Sequence, residues 1–350
     1  MEPESPFSTW LEQKNFERLQ SEGLRVRELR HFCQGSFPGL VEECYRQWRN
    51  GHLIVSRKWG NWQSEEKTVI YLNSACLLPD DLLRWQKSSS EVTVYRVATW
   101  NVNSIRSRME VLINWLVSWR PDVLCIQETK VEDANFPVWE IEQAGYQSVF
   151  VGQKTYNGVA ILSRQPLEEV CRGFENGYDS ENARIISATW QGIRLVNVYV
   201  PQGQDTGTDK FRYKLEFLEQ LLSQIQAHRA SNSDMLILGD FNVALEPGDV
   251  IDPENMLGKV SYHPREHELM KHLQNQGLRD LFRHFDARDH QFTWWDFRTR
   301  GFERGEGMRI DHILASERLL SRFRNCEIDS AVRGQEKPSD HAPVICEIEI

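Results

Sequence analysis

From Val94 onward, short apolar runs of strand length alternate with longer amphipathic runs of helical spacing. Val94 to Thr99 and Val123 to Ile126 have the pattern of strands, and Arg106 to Trp119 between them has the pattern of a helix. A second helix is predicted over Lys210–Arg229. The further predicted strands are Ser148–Val151, Val159–Ser163, Ile185–Trp190, Leu195–Val200, Met235–Leu238, Phe292–Trp294, Ile310–Leu314, Cys326–Val332 and Val344–Glu349. Such alternation is typical of an α/β protein. Gln191-Gly192 separates two further strand-like runs, and a two-residue turn joins antiparallel strands. We therefore predict an α/β fold with mixed sheets, not a doubly wound parallel sheet.

The composition changes at Ser88-Ser89-Ser90, and we predict a domain boundary there. Residues 1–93 would form a small α+β module, and residues 94–350 are long enough for one large core. The segment from Arg57 to Trp62 alternates basic and aromatic residues, which suits either stacking on single-stranded nucleic acid or a packed hairpin. In this module we predict helices over Pro6–Glu22, Phe37–Asn50 and Pro79–Trp85, and strands over His52–Arg57 and Thr68–Leu72.

The composition excludes several classes of protein. The formal net charge of -10 argues against a broadly basic surface that coats nucleic acid, although a small local patch stays compatible with it. The seven cysteines are odd in number and contain no CxxC pair, so we predict neither a disulfide framework nor structural zinc. Apolar runs are too short for a membrane span, and Met1 is followed by acidic residues where a secretory signal would be basic. We expect a cytoplasmic protein.

Polar residues follow several of the predicted strands, at the point where each strand ends. In a sheet protein such groups converge on one edge, where a rigid scaffold faces open space. Any one of them alone is more often a turn former or a helix cap, but several in one domain favour a shared acidic site. The residues in these positions are Asn101, Asn103, Glu128, Asp240, Asn242, Asp311, Asp340 and His341.

Carboxylate and amide oxygens are hard ligands, and such a set favours Mg²⁺ or Mn²⁺ over zinc. Hydrolysis of a phosphodiester needs this kind of ion, a group that deprotonates or orients water, and donors for the developing negative charge. Glu128, Asp240, Asn242, Asp311 and His341 are of the residue types that supply these functions. These residue types are therefore compatible with a metal-dependent phosphodiester hydrolase.

Seven motifs together resemble the exonuclease III family of abasic-site endonucleases, over about residues 94 to 350. That family belongs to the endonuclease/exonuclease/phosphatase group, so the resemblance implies a four-layered α/β sandwich with two packed mixed β-sheets. The motifs are Thr99-Trp100-Asn101-Val102-Asn103, Gln127-Glu128-Thr129-Lys130, Asn197 to Gly203, Gly239-Asp240-Phe241-Asn242, Thr293 to Arg298, Arg309-Ile310-Asp311 and Lys337 to Pro343.

The resemblance also implies roles for individual residues. Glu128 would be the main Mg²⁺ ligand, with Asn101 beside it and Asp340 nearby, and Asp240, Asn242 and His341 complete the candidate metal set. Asp240 would orient or deprotonate the attacking water. Asn242 and Tyr199 would hydrogen-bond the phosphate, and His341, held by Asp311, would contact a phosphate oxygen. An Asp partner fixes the tautomer of a His and favours the imidazolium.

The same resemblance implies the substrate contacts. The loop from Trp294 to Arg298 would recognise an abasic sugar, with the Trp294 ring in the pocket and Trp295 packed elsewhere, because neighbouring strand residues face opposite sides. Gln202 would lie near the flipped sugar, and Lys130 and Arg298 would meet flanking phosphates. Asn103 departs from relatives that carry Asp there, so the metal set has one carboxylate fewer.

Three functions remain in competition. The leading one is Mg²⁺-dependent cleavage of DNA 5′ to an abasic site, with 3′-5′ exonuclease or 3′-phosphatase activity. A second is a phosphatase acting on an inositol phosphate or a phospholipid, which Gln127 to Lys130 and Trp294 to Arg298 disfavour. A third is a catalytically silent DNA-binding module, which the full set of expected catalytic residue types disfavours. For the first function we expect a monomer that binds DNA with abasic sites or 3′ ends, associated with the nucleoid if prokaryotic.

Overall fold

Residues 43–49, 52–58, 66–71, 93–230 and 234–350 are described in a computed structural model of the chain. The chain divides into two units, Met1–Glu91 and Val92–Ile350, and each is described by itself. In the first unit three antiparallel strands are described, in the order β1-β2-β3. They are β1 (Glu43–Arg49), β2 (His52–Lys58) and β3 (Glu66–Tyr71).

The helix predicted over Phe37–Asn50 is wrong for the half of that range that β1 occupies. Arg49 pairs with His52 across the two residues Asn50-Gly51. Asn-Gly is the strongest short-range sequence signal for a hairpin, and it should have outweighed the helical spacing upstream. The predicted strands His52–Arg57 and Thr68–Leu72 overlap β2 and β3. The helices predicted over Pro6–Glu22 and Pro79–Trp85, and residues 59–62 of the basic and aromatic segment, lie outside the described residues.

Twelve strands are described in the second unit. They are β4 (Val94–Asn101), β5 (Val123–Gln127), β6 (Gln147–Val151), β7 (Val159–Ser163), β8 (Glu168–Arg172), β9 (Ile185–Trp190), β10 (Ile193–Tyr199), β11 (Met235–Asp240), β12 (Leu278–Asp280), β13 (Asp311–Ser316), β14 (Phe323–Ile328) and β15 (Val344–Glu349).

The strands form two six-stranded mixed sheets, which confirms the predicted fold class. Sheet I has the order β14-β15-β4-β5-β7-β6, and sheet II has the order β12-β13-β11-β10-β9-β8. Each sheet has one parallel pair at its centre, β4 with β5 and β10 with β11, and antiparallel pairs outside it. The carboxyl ends of a parallel pair meet at one edge of a sheet, so each centre offers one edge for a site.

Helices cover the outer faces of both sheets. Those against sheet I are α1 (Met109–Trp119) and α2 (Val138–Gln143), and those against sheet II include α3 (Asp209–Ala230) and α5 (Pro264–Gln274). Shorter helices are α4 (Pro253–Met256), α6 (Leu281–Phe285) and α7 (Gly301–Arg304), with 3₁₀ turns at Asp133–Asn135, Pro247–Asp249, Glu317–Arg322 and Ser330–Gly334. No helix among the described residues is long and apolar enough to cross a membrane.

Three apolar cores separate four layers. The central core lies between the two sheets and includes Cys125, Ile161, Leu195 and Leu238. A second core joins sheet I to α1, and a third joins sheet II to α3 and α5. The central strands are therefore buried on both faces, which accounts for the uninterrupted apolar runs of β5 and β11.

Most elements predicted from the sequence of this unit are present within two or three residues. Two short polar edge strands, β8 and β12, were missed because they lack an apolar run. The strand predicted over Phe292 to Trp294 is wrong, since Trp294 makes only isolated bridges to Met308 and His341. The strand predicted over Cys326 to Val332 ends at Ile328 and continues as a 3₁₀ turn.

Buried amides fix the two sheets together beneath the edge that carries the site. Asn197 on β10 of sheet II donates to the carbonyls of Ile126 and Ala160 in sheet I, at 3.0 and 2.8 Å. Its Oδ1 accepts a 2.7 Å hydrogen bond from Gln127 Nε2, which also donates to Thr99 Oγ1 at 2.9 Å. Unpaired polar groups are costly when they are buried between two sheets, so this network fixes how the sheets pack against each other.

We predict that Asn197→Leu lowers the free energy of unfolding by about 3 kcal/mol, because two buried carbonyls and the Gln127 amide each lose a hydrogen bond. Denaturant unfolding measures the change. Asn114→Leu, an exposed position on α1, is the control and should change it by less than about 0.5 kcal/mol. Equal effects of the two substitutions would contradict a bridging role for Asn197.

Candidate active site

The acidic residues of the site come from strand ends of both sheets. Asp240 is the last residue of β11 and pairs directly with Asp311, the first residue of the antiparallel strand β13. In sheet I, Asn101 ends β4 and Glu128 follows β5 by one residue. The topology therefore brings to one edge four residues that lie far apart in sequence.

Asn101 connects the carboxylates of the two sheets. Its Nδ2 donates to Glu128 Oε1 at 2.8 Å and to Asp240 Oδ2 at 2.9 Å. Asn101 is fully buried, and its Oδ1 accepts a 2.9 Å hydrogen bond from the backbone N–H of Asn103. In this orientation the amide hydrogens of Asn101 hold the two carboxylates together, and its oxygen faces the backbone N–H of Asn103.

His341 lies between two carboxylates of sheet II. Its Nδ1 donates to Asp311 Oδ2 at 2.8 Å, and its Nε2 lies 3.8 Å from Asp240 Oδ2. Burial by itself lowers the pKa of His341, but the negative charges of Asp311 and Asp240 outweigh it and raise that pKa above the ordinary value. The imidazolium is thus the favoured form, with Nε2 as a donor beside Asp240.

Burial also raises the pKa of Asp240 above that of an ordinary carboxyl, with Asp311 and Glu128 adding to the shift and His341 opposing it. A carboxylate with a raised pKa is a stronger base than an exposed one. Asp240 therefore has the property that proton transfer from water near neutral pH requires.

The residues present fit a divalent cation. One ligand atom from each of Glu128, Asp240 and His341 lies within 4.8 Å of the others. Two carboxylates that converge in this way are the hard donors that Mg²⁺ or Mn²⁺ takes, and the positive imidazolium suits contact with an anionic substrate better than ligation. Asp340 is separate from this group, since its oxygens accept from Asn103 Nδ2 at 2.8 Å and Trp294 Nε1 at 3.2 Å.

Lys130 lies on the outer side of the converging carboxylates, next to Glu128. Its Nζ lies 2.7 Å from Glu128 Oε2 and donates to Asn103 Oδ1 at 2.6 Å. Both side chains are partly exposed, with 28% of Lys130 and 16% of Glu128 accessible. A cation that binds both oxygens of Glu128 would therefore have to displace the Lys130 ammonium.

Tyr199 ends β10 and lies level with Asp240 in the parallel register. Burial, followed by the charges of Glu128 and Asp240, raises the pKa of Tyr199 well above its ordinary value. The phenol thus stays protonated and can donate to a phosphate oxygen. The guanidinium of Arg184 lies 4.6 Å from the centre of the Tyr199 ring, and its Nη1 donates to the Tyr199 carbonyl at 3.2 Å.

Four residues of the site have a left-handed backbone conformation. Asn103, Glu128, Lys130 and Asn242 all have positive φ, between 45° and 53°. For Glu128 and Lys130 this conformation costs about 1 kcal/mol or more each, and such strain is retained where it aims a side chain. Gly239 is required because there is no room for a side chain: a Cβ at this position would lie 2.0 Å from the carbonyl oxygen of Val198 on the neighbouring strand.

Asn242 is clamped in its strained conformation. Its backbone N–H donates to Asp240 Oδ1 at 2.8 Å, and its Nδ2 donates to the Val200 carbonyl at 3.0 Å and Asp240 Oδ2 at 3.3 Å. The amide is 6% exposed and lies against the general-base candidate. A phosphate that approaches Asp240 would reach this amide as well.

Of the four predicted substrate contacts, Lys130 touches Glu128 in the site, and the other three make their contacts outside the carboxylates that converge there. Trp294 is half-buried and reaches the site through Asp340, whereas Trp295 is buried in the core against α1. Gln202 is exposed, and its Oε1 accepts from the backbone N–H of Gln204 at 2.6 Å. Arg298 is exposed and pairs with Asp296 at 2.9 Å.

Two buried cations behind the site, Arg309 and Lys214, received no structural role from the sequence. Arg309 is fully buried and holds Asp249 through two hydrogen bonds of 2.7 and 2.8 Å, and it pairs with Asp280 at 2.8 Å. This cluster fixes the chain beyond Asn242 against the strand that carries Asp311. Lys214, also fully buried, is the other omission. The sequence did indicate that Lys214 lies on the apolar face of α3, because it precedes Phe217 and Leu218 by three and four residues.

A buried His and Asp pair beside converging carboxylates, at one edge shared by two sheets, is the arrangement expected of a hydrolase of phosphate esters. Residues 98–341 match the Endonuclease/Exonuclease/phosphatase family. Exodeoxyribonuclease III of Haemophilus influenzae is 34% identical over 261 residues, which are 71% of this chain and 98% of that protein.

Solved structures agree with the sequence relatives. A 3′ phosphatase from Neisseria bound to a product DNA hairpin has a TM-score of 0.71 and 35% identity, over 73% of this chain and all of that one. An AP endonuclease from Archaeoglobus fulgidus has a TM-score of 0.70 and 38% identity, with the same coverage. The chain belongs to the endonuclease/exonuclease/phosphatase family, and it is a phosphodiester hydrolase of the exodeoxyribonuclease III and AP endonuclease type.

We predict that Arg309→Met lowers the free energy of unfolding by about 3–5 kcal/mol at pH 8, because Asp280 and Asp249 stay buried without their main partner. In the wild type, Arg309 outweighs burial and holds the pKa of both carboxyls below the usual range, so their contribution is lost only as pH falls below about 4. Without Arg309, burial raises both pKa values, so the deficit should shrink from pH 8 to pH 5.

Denaturant unfolding at both pH values measures this difference. Arg288→Met, at an exposed pair with Asp286, is the control and should cost less than about 1 kcal/mol at either pH. A deficit for Arg309→Met that is independent of pH would contradict the assignment of the carboxylates as the destabilising groups.

Proposed function

We propose that this chain is a Mg²⁺-dependent DNA repair nuclease that cleaves the phosphodiester 5′ to an abasic site and also acts on 3′ ends. The observation that carries the proposal is the convergence of Glu128, Asp240 and the Asp311–His341 pair at one sheet edge. Relatives described as an exodeoxyribonuclease III, a 3′ phosphatase and an AP endonuclease support both activities.

Glu128 and Asp240 would hold the cation, with Asn101, Asn242, Asp340 and His341 around it. A bound Mg²⁺ or Mn²⁺ would supply Lewis acidity to the phosphate oxygen. The convergence of two carboxylates without a thiolate supports an ion of this hardness.

The protein's own residues would carry the proton and bind the phosphate. Asp240, fixed by hydrogen bonds from Asn101 and Asn242, would orient the attacking water or take its proton. His341, charged through Asp311, would donate from Nε2 to a non-bridging phosphate oxygen. Tyr199 and Asn242 would donate to the same group as its charge grows, which stabilises the transition state more than the ground state.

Residues at the rim would select the DNA substrate. Trp294, half-buried and tied to Asp340, would line a pocket that accepts a sugar without a base. Gln202, exposed beside Tyr199, would contact the strand next to that sugar. Lys130 and Arg298 would meet flanking phosphates, and both are accessible enough to exchange their carboxylate partners for DNA. We further propose that the enzyme acts as a cytoplasmic monomer, at the nucleoid if its source is prokaryotic.

We predict that the purified chain with Mg²⁺ nicks an abasic duplex, leaves a 3′ hydroxyl, and releases phosphate from a 3′-phosphate end. A panel of abasic duplex, intact duplex, 3′-phosphate duplex and an inositol phosphate measures this, with and without EDTA. Turnover of only the inositol phosphate would favour the phosphatase alternative, and binding without turnover would favour a silent DNA-binding module. Full activity in EDTA would contradict the metal dependence.

We predict that Glu128→Gln and Asp240→Asn each lower kcat on the preferred DNA substrate by at least about 1,000-fold, because each removes a charge from the reacting group while preserving side-chain shape. Single-turnover kinetics with excess enzyme measures the chemical step. Glu110→Gln, an exposed position in the first turn of α1, is the matched control and should leave kcat unchanged. A loss of less than tenfold in both site variants would contradict the assignment.

A further inference from the structure

Lys214 is a fully buried cation on the apolar face of α3. Its Nζ forms an ion pair with Glu266 of α5, and both side chains have no accessible surface. Burial lowers the pKa of Lys214, and Glu266 opposes that shift. A buried ion pair is rarely worth its desolvation when apolar residues could fill the same space. The pair therefore needs an explanation besides stability.

The ammonium of Lys214 reaches beyond Glu266 to two loops at the site. Nζ donates to the Asn242 carbonyl at 2.7 Å and lies 3.3 Å from the Gln202 carbonyl. The first loop follows β11 and carries Asn242, and the second follows β10 and carries Gln202. One cation thus joins the loops that bear the amide against Asp240 and the side chain at the rim.

The peptide groups of Asn242 are held on both sides. Asp240 Oδ1 accepts from its N–H, and Lys214 donates to its carbonyl. Asn242 has a φ of 53°, a conformation that needs support from its surroundings. Removal of the ammonium would free one end of this clamp and leave a buried carbonyl without its charged donor.

Glu266 has a different set of neighbours. Its carboxylate accepts from the backbone N–H of Ser261 at 3.2 Å and of His263 at 2.9 Å, at the start of α5. It makes no hydrogen bond to Asn242 or Gln202 among those that the described part of the chain contains. Glu266 therefore compensates the charge of Lys214, whereas only Lys214 touches the loops of the site.

We propose that Lys214 is a positioning residue for phosphodiester cleavage, which fixes the backbone of Asn242 and Gln202 from behind the site. This inference rests on the proposed nuclease function. It assigns to Lys214 a role in kcat through Asn242 and in KM through Gln202, neither of which follows from an ion pair that only stabilises the fold.

The test compares two ways of breaking the same ion pair. Glu266→Gln removes the pair but leaves the Lys214 amine to donate to both carbonyls. Lys214→Met removes the pair and the donor, and Lys214→Met/Glu266→Gln does so without leaving an unpaired buried charge. Kinetics on the abasic duplex with Mg²⁺, below the lowest melting temperature of the set, give kcat and KM for each variant.

We predict that both Lys214 variants lower kcat by at least about tenfold and raise KM, because small displacements of reacting or binding groups cost large factors in rate. Glu266→Gln should stay within about threefold of the wild type. Amide hydrogen exchange should speed up at residues 200–204 and 240–244 in both Lys214 variants and not in Glu266→Gln.

Leu221→Ala, two turns further along α3, is the control for lost stability. Leu221 is fully buried and lies in the core between α3 and sheet II. Its truncation should lower the melting temperature by several degrees and leave kcat within about twofold of the wild type.

Equal kcat in the three ion-pair variants, or wild-type kcat in the double variant, would overturn the proposal. So would a loss of kcat in Leu221→Ala as large as that in the Lys214 variants, because lost stability alone would then explain the effect. Failure of both Lys214 variants to fold, while Glu266→Gln folds, would also overturn it. Absence of wild-type activity on every DNA in the panel contradicts the proposed function instead, while faster exchange in the two Lys214 variants alone would still support the positioning.

Discussion

The contact of His341 with Asp311 and Asp240 is the interaction on which the site depends. Asp311 and Asp240 belong to paired strands of sheet II, whereas His341 lies three residues before β15 of sheet I. Their 2.8 Å hydrogen bond and 3.8 Å approach therefore join the sheets at the edge where the reaction would occur. The same geometry sets the protonation of the histidine, because two buried negative charges outweigh the cost of burying a positive one.

The rest of the site is held in place by groups that do not take part in the reaction themselves. Asn101 joins the carboxylates of the two sheets, and Asn197 joins the same two sheets beneath the site. Behind the loops of sheet II, Lys214 and Arg309 place fully buried positive charges next to backbone and carboxylate groups. Preorganisation of this kind lets dipoles and charges face the substrate without reorganising during the reaction, which is where enzymes gain most of their electrostatic advantage. Four positive φ values in the same place are the conformational cost.

Local sequence patterns predicted the elements that are long, apolar and buried. β7, β9 and β15 begin and end where the alternation of apolar runs places them, and α3 follows its apolar stripe. The failures have local causes. The Asn50-Gly51 hairpin signal was overlooked beneath a weaker helical spacing, and the segment around Trp294 is extended without being a strand, because it pairs with single residues of two different segments.

The sequence by itself determined the fold class, the residue types of the site and their order along the chain, because motifs at strand ends are legible one segment at a time. It did not show that Asn101 turns its amide hydrogens towards both carboxylates, that Lys130 pairs with Glu128, or that Lys214 reaches two loops. Apart from the Lys130–Glu128 pair, those contacts join residues 12 to 139 positions apart in the chain. Only the packing of the two sheets fixes such distances, since periodicity describes which face a side chain occupies and not which partner it meets there.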